Sequence, residues 1–114
     1  MIDTPRRGEI WLVRLDPTVG SEIKKNRPAL IISNNIANKY SDLITALPIT
    51  KKGSKVFPHE AGLPDDTLGL VKPSKVKCNQ VRSIDKQRLL KLMGHVDHES
   101  LIAAEDALKL HLGL

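Results

Sequence analysis

The sequence predicts an α+β fold in which a small, strongly curved sheet or barrel of short strands is closed by a C-terminal helix. Two observations carry the strands. Residues 8 to 84 are crowded with strand-forming runs separated by Gly, Pro, Asp and Ser. Two of these runs, PALIIS and LITALPI, are continuously apolar and too short for typical helices, as central strands covered on both faces would be. A third observation carries the helix: beyond Asp85 the apolar period changes from two to helical. With 114 residues, 40% hydrophobic and 27% charged, the chain is expected to form a single domain over residues 1–114 around one core.

The elements follow in order. Glu9 to Leu15 (EIWLVRL) is a first strand that stops at the turn signal Asp16-Pro17. Val19 to Asn26 is polar and has no apolar period, so a mobile loop is expected. Pro28 to Ser33 and Leu43 to Ile49 are the two central strands. The Asn-rich stretch Asn34 to Asp42 between them reads as loop or a brief helical turn. Val56 to Ala61, Gly69 to Lys72 and Val76 to Ile84 are further strand candidates, with Pro58 and Pro73 confined to an edge, a bulge or a strand end. Asp85 is placed to cap a short helix through Met93, stopped by Gly94. Asp97 is placed to cap a longer helix whose Leu101, Ala104, Leu108 and Leu112 fall on one stripe, against the barrel or across a dimer interface.

Composition excludes several classes. No apolar run approaches the roughly 20 residues that cross a bilayer, and MIDTPRRGE lacks the apolar centre of a signal peptide, so no membrane association and a cytoplasmic location are expected. The lone Cys78 cannot form an intrachain disulfide and offers no Cys-rich metal site. Residues 1 to 96 hold 17 basic and 9 acidic side chains (+8), against 1 and 4 (−3) in residues 97 to 114. A polyanionic partner is the natural reading of that excess, with a merely solubilising surface as its rival.

The segment GSEIKKNRPALIIS, Gly20 to Ser33, resembles the signature of the MazF/PemK (Kid-like) toxins. RRGEIWLVRLDPTVGSE resembles that family's first strand and loop, ALPITKKGSKVFPHE its third strand and following turn, and NQVRSIDKQRL its last strand and following helix. The resemblance implies an SH3-like small β-barrel with a C-terminal helix, a homodimer, and cleavage of single-stranded mRNA at short motifs without a metal or other cofactor. It also implies a cognate antitoxin whose disordered acidic segment lies across the RNA channel. Carried over residue by residue, the family's catalytic arginine and threonine fall on Arg27 and Thr50. Ser21 and Glu22 match loop residues that approach RNA, and Gln80 matches a groove-lining glutamine. After the GSE segment this loop reads IKKN, where family members often show Gln and Gly. The basic Lys51 and Lys52 beside Thr50 are added as candidate RNA contacts.

RNA supplies its own nucleophile, the 2′-hydroxyl, and its attack on the adjacent phosphorus leaves a 2′,3′-cyclic phosphate and a 5′-hydroxyl. The protein must supply alignment and stabilisation of negative charge. A guanidinium presents planar donors to phosphate oxygens, which suits Arg27 to that task, and the Thr50 hydroxyl can orient the phosphate or the attacking oxygen. An arginine is a poor general base, so the base is left unassigned, with Glu22 one possibility and base reading or loop support its other roles.

Each residue has a plainer reading. Taken alone, Arg27 is a structural ion-pair residue at a strand entrance, and only its surrounding motif reverses that. Thr50 can simply end a strand, Gln80 can satisfy backbone groups at an irregular edge, and Lys51 and Lys52 can be solvated charge. His95 and His98, with Asp97 between them, read as surface chemistry at a helix mouth and not as a ligand set. With Trp11, Tyr40 and Phe57 the only aromatics, base stacking is limited. Two other functions compete: a CcdB-type gyrase poison on the same fold, and a non-catalytic RNA-binding barrel.

Overall fold

The computed structural model describes residues 4–53, 55–65, 67, 70 and 73–114. Seven strands form one sheet: β1 (Glu9–Arg14), β2 (Asn26–Ile31), β3 (Leu43–Lys51), β4 (Glu60–Gly62), β5 (Ser74–Lys77), β6 (Arg82–Asp85) and β7 (Leu89–His95). Two helices, α1 (Asn35–Tyr40) and α2 (His98–Leu112), complete it. The strand order is β4-β5-β3-β2-β1-β7, with β6 paired to β3, and every pairing is antiparallel. The expected α+β class and C-terminal helix are found. The sheet curls without closing, because β4 and β7 at its two ends pair with no further strand among the described residues.

β3 organises the sheet. One of its edges holds β2, while the other holds β6 along Leu43–Ala46 and β5 along Ile49–Lys51. The single strand expected over Val76 to Ile84 is therefore split. To move from one stretch of β3 to the next the chain must shed residues, and it loops out a 3₁₀ turn at Cys78–Gln80. Because both faces of β3 are covered, its apolar run is continuous. Leu47 and Ile49 join an outer core with Ile10, Leu30, Ile32, Val76 and Ala104. Ile44 and Ala46 join an inner core with Trp11, Val13, Leu15, Ala29, Ile31 and Ile84. Each fully buried aliphatic side chain contributes about 1.5–3 kcal/mol through loss of apolar contact with water.

α2 covers the outer core. The Asp97 side chain accepts a bond from Ser100 N at 2.7 Å, which satisfies a helix-end donor and holds the Asp97 carboxyl below its usual value. Gly113, at φ 75°, terminates the helix in the left-handed region. Its buried seam is Ser100, Ala104 and Ala107, with Leu101 and Leu108 half-buried, whereas Leu112 of the expected stripe is 50% exposed. Ala104 lets the helix approach closely enough for the Cys78 thiol to lie 3.5 Å from its carbonyl, and burial pushes that thiol up to about 11. No helix among the described residues is long and apolar enough to cross a membrane.

Two further expectations change, and a third falls largely outside the described residues. The helix expected from Asp85 to Met93 is a single 3₁₀ turn, Lys86–Arg88, followed by β7. Asp85 does cap, accepting from Gln87 N at 2.8 Å, but the edge of β1 offers Leu89–His95 a ladder, and this non-local pairing overrides a local helical period. The strand expected over Val56 to Ala61 contracts to Glu60–Gly62, with the preceding residues in a turn around Pro58. The strand expected over Gly69 to Lys72 falls on positions that, apart from Leu70, lie outside the described residues.

The β4–β5 end carries a buried carboxylate. Burial alone would raise the Glu60 carboxyl, but hydrogen bonds from Lys75, Lys77 and Phe57 N outweigh it and lower it from 4.5 to about 2. A depressed folded value stabilises the fold above the unfolded value, and that contribution drains away as pH falls from about 4.5 through about 2. The urea midpoint is therefore expected to decline over that window, and the decline should be shallower in Glu60→Gln.

Candidate active site

Strand pleating decides which side chains reach the site. Ala29 and Ile31 of β2, Ala46 of β3 and Ile84 of β6 face the inner core. Side chains alternate along a strand, so Arg27, Thr50 and Arg82, each an even number of residues from these, share that face. Each lies beyond the last apolar member of its stripe, at the mouth of the curled sheet. The β2–β3 ladder runs from Ile31–Ala46 to Ala29–Pro48, and Arg27 and Thr50 each lie two residues beyond its last pair, on the same face. Arg27 and Thr50 are both half-buried.

The Arg27 side chain is held at one point and free at the other. Its Nε donates to the Lys24 carbonyl at 3.2 Å, and its terminal nitrogens bond to no other described residue. The ion pairs among described residues are Arg7–Glu105, Lys75–Glu60 and Lys77–Glu60, so Arg27 has no carboxylate partner there. Among the described residues, the structural ion-pair role that the residue suggests in isolation has no carboxylate to fill it.

The connection between β1 and β2 forms the near wall. Leu15 N donates to Lys25 O at 3.0 Å, and Ile23 packs against the inner core. Lys25 sits at φ 70°, where a residue other than glycine is strained. Glu22 supports the loop: its Oε1 accepts from Val19 N at 2.7 Å, while its own N–H donates to Val19 O. Gln80, from the looped-out 3₁₀ turn, accepts from Ile23 N at 2.7 Å and ties the loop to the far wall. Arg82 donates to Leu15 O at 3.2 Å from the same side.

Between these walls lies an open cleft of about 390 Å³ lined by Ser21, Glu22, Asn79, Gln80, Val81 and Arg82. The structure thus gathers three of the expected residues, Ser21, Glu22 and Gln80, around one space. Arg27 and Thr50 share one face at the sheet mouth and are not among the residues lining that cleft. Lys51 is exposed on the opposite face of β3 from Thr50, and Lys52 leads away through a bond from its N–H to Pro73 O. Asn79 and Arg82 are additions. Arg82 lies inside the NQVRSID segment, but its position depended on the loop-out that no local pattern announces. Asn79 Oδ1 is buried with no hydrogen-bond partner among the described residues, an acceptor in want of a donor. Near α2, His95 Nδ1 lies 3.3 Å from Val96 O and Asp97 is engaged as a cap, which leaves that trio without a shared point.

Fold and site together define a small α+β protein that presents cations and a hydroxyl at the mouth of a curled sheet, beside an open polar cleft. Comparison with known proteins narrows that class. Residues 6–112 match the family of PemK-like, MazF-like toxins of type II toxin–antitoxin systems, and the chain belongs to that family. Endoribonuclease MazF9 of Mycobacterium tuberculosis is 43% identical over 114 residues, covering 96% of this chain and 97% of its own. The crystal structure of MazF from Deinococcus radiodurans superposes with a TM-score of 0.87 at 27% identity, covering 99% of this chain and 100% of that one. A MazE–MazF structure from the same organism gives 0.74, also at 27% identity, with the same coverage.

Proposed function

We propose that this chain is the toxin of a type II toxin–antitoxin pair and an endoribonuclease that cleaves single-stranded RNA at short sequence motifs, without a metal or other cofactor. The observation that carries the reading is that Arg27 and Thr50 lie on one face, each two residues beyond the last β2–β3 pair, with the guanidinium unpaired by any described carboxylate. Family membership supplies the toxin class, and the relative MazF9 is named an endoribonuclease.

In the proposed reaction the 2′-hydroxyl attacks its neighbouring phosphorus, the bond to the 5′-oxygen breaks, and the products are a 2′,3′-cyclic phosphate and a 5′-hydroxyl. Arg27 offers its free terminal donors to the non-bridging oxygens as charge accumulates on them. The Thr50 hydroxyl, one strand away, orients the phosphate. Ser21, Glu22 and Gln80, with Asn79 and Arg82, line the cleft in which flanking bases are read, while Lys51, on the opposite face of β3, and Lys52 add positive charge only at longer range. One Glu22 oxygen is engaged in its own loop, which favours a supporting role over that of general base.

A homodimer and a cytoplasmic site of action belong to the same proposal. Leu90 and Leu92 on the end strand β7 are 48% and 46% exposed, and Ile102, Leu110 and Leu112 are exposed on α2, apolar surface suited to a second copy. The excess of basic charge before α2 suits an acidic antitoxin segment competing with RNA for one groove. The test is to incubate purified protein with a long single-stranded RNA in EDTA and map the ends. Cuts at a recurring short motif with 5′-hydroxyl ends are expected. RNA that is bound and left intact would replace the nuclease with a binding barrel.

A further inference from the structure

Glu60 is the buried carboxylate of the described core, its side chain fully shielded from solvent, and neither apolar cluster explains it. Three donors keep it there. Lys75 Nζ lies 2.8 Å from Oε1, Lys77 Nζ 2.6 Å from Oε2, and Phe57 N 2.9 Å from Oε1. Glu60 N in turn donates to Phe57 O at 2.9 Å. Lys75 also donates to the Lys55 carbonyl at 3.0 Å, and its ammonium sits 5.6 Å from the Phe57 ring centre. One carboxylate thereby anchors both lysines and the turn that follows Lys52.

Register places this hub beside the proposed site. Thr50 pairs with Lys75 across β3 and β5, while Ile49 and Val76, the neighbouring pair, point into the outer core. Thr50 and Lys75 therefore share the other face, which Lys77 also shares, two residues further along β5. Lys75 is thus paired beside Thr50 on the face that Arg27, two residues beyond the last β2–β3 pair, also shares. Two ammonium groups face one carboxylate, so the hub carries a net positive charge. Lys77, 20% exposed and bonded only to Glu60 among described residues, has donors to spare.

We infer that Glu60 is a positioning residue for cleavage: by anchoring Lys75, Lys77 and the turn at 55–59, it fixes a second wall of positive charge across Thr50 from Arg27. The inference rests on the nuclease reading. A fixed cation helps a reaction that accumulates anionic charge because it need not reorganise as the charge appears. Without the carboxylate the same two cations repel one another and drift.

The test measures kcat and KM on a short RNA containing one cleavage motif, affinity for its 2′-O-methyl form, and the thermal midpoint, in wild type, Glu60→Gln, and Glu60→Gln combined with Lys75→Met. Glu60→Gln is expected to lower kcat roughly tenfold, as loss of alignment does, with a smaller change in affinity for the uncleavable RNA. The double variant removes one of the unbalanced cations and should regain midpoint without regaining kcat. A purely structural carboxylate predicts the reverse, kcat recovering together with the midpoint, and that result overturns the inference. So does a kcat within about twofold of wild type in Glu60→Gln. If the single variant does not fold, the double variant decides alone, with reduced kcat supporting the role and wild-type kcat refuting it. Wild-type protein that leaves RNA intact refutes the nuclease reading and this inference with it. Cleavage lost in Arg27→Ala but unaffected in Glu60→Gln refutes only the inference.

Discussion

Arg27→Ala is expected to slow RNA cleavage by roughly 100-fold or more, about 2.7 kcal/mol of transition-state stabilisation, while leaving the fold and its stability nearly intact. Both halves follow from the same geometry. Arg27 is half-buried, bonds to the described residues through Nε alone, and has no described carboxylate whose charge its removal would expose. Substitutions of that kind typically change stability by no more than about 0.5 kcal/mol. The donors lost are those with no partner among the described residues, so the loss should fall on the state in which the phosphate carries extra charge, lowering kcat more than it raises KM. Arg27→Lys keeps the charge and loses the planar pair of donors, so partial recovery is expected. Single-turnover cleavage beside a urea melt checks both halves. A folded Arg27→Ala protein with full activity removes Arg27 from the chemistry, and an unfolded one restores the structural role that the fold argues against.

What could be seen in the sequence was what local chemistry determines. PALIIS and LITALPI are continuous because β2 and β3 are buried on both faces, and Asp97 caps α2 because its carboxylate meets an orphan N–H three residues on. Arg27 and Thr50 were legible only through the segments around them, since neither residue type is distinctive alone. The rest was hidden by pairing between distant parts of the chain. Leu89 to Met93 satisfies a helical period as well as a strand, and only the free edge of β1 decides between them. The loop-out at Cys78–Gln80 follows from two partners sharing one edge of β3, which no window of nine residues reveals. Glu60 left one signal, which the expected strand bounds hid. Lys75 lies just outside the strand expected from Val76, and only the observed β5, Ser74–Lys77, puts it on one face with Lys77, where two lysines side by side call for an anion opposite.

Leu47→Ala is expected to destabilise the fold by about 2–5 kcal/mol, a large share of the roughly 5–15 kcal/mol that holds a typical domain together, and yet to leave the activity of each folded molecule unchanged. Leu47 is fully buried, opposite Leu30 in the β2–β3 ladder, and belongs to the outer core that α2 closes with Ala104 and Ala107. Truncating it removes apolar contact and leaves a cavity under a helix already seated on small side chains, where little can collapse into the space. Thr50, three residues on, faces the other way. If the last residues of β3 divide their labour by parity, Leu47 and Ile49 holding the fold and Thr50 meeting the phosphate, then Leu47→Ala should lower the urea midpoint without touching kcat at low temperature, the inverse of Arg27→Ala. The comparison is of kcat per folded chain, with the folded fraction read from the urea curve of the same preparation. A Leu47→Ala protein that is mostly folded but has lost its rate would mean that the position of Thr50 depends on the outer core, and the separation of the two faces would have to be given up.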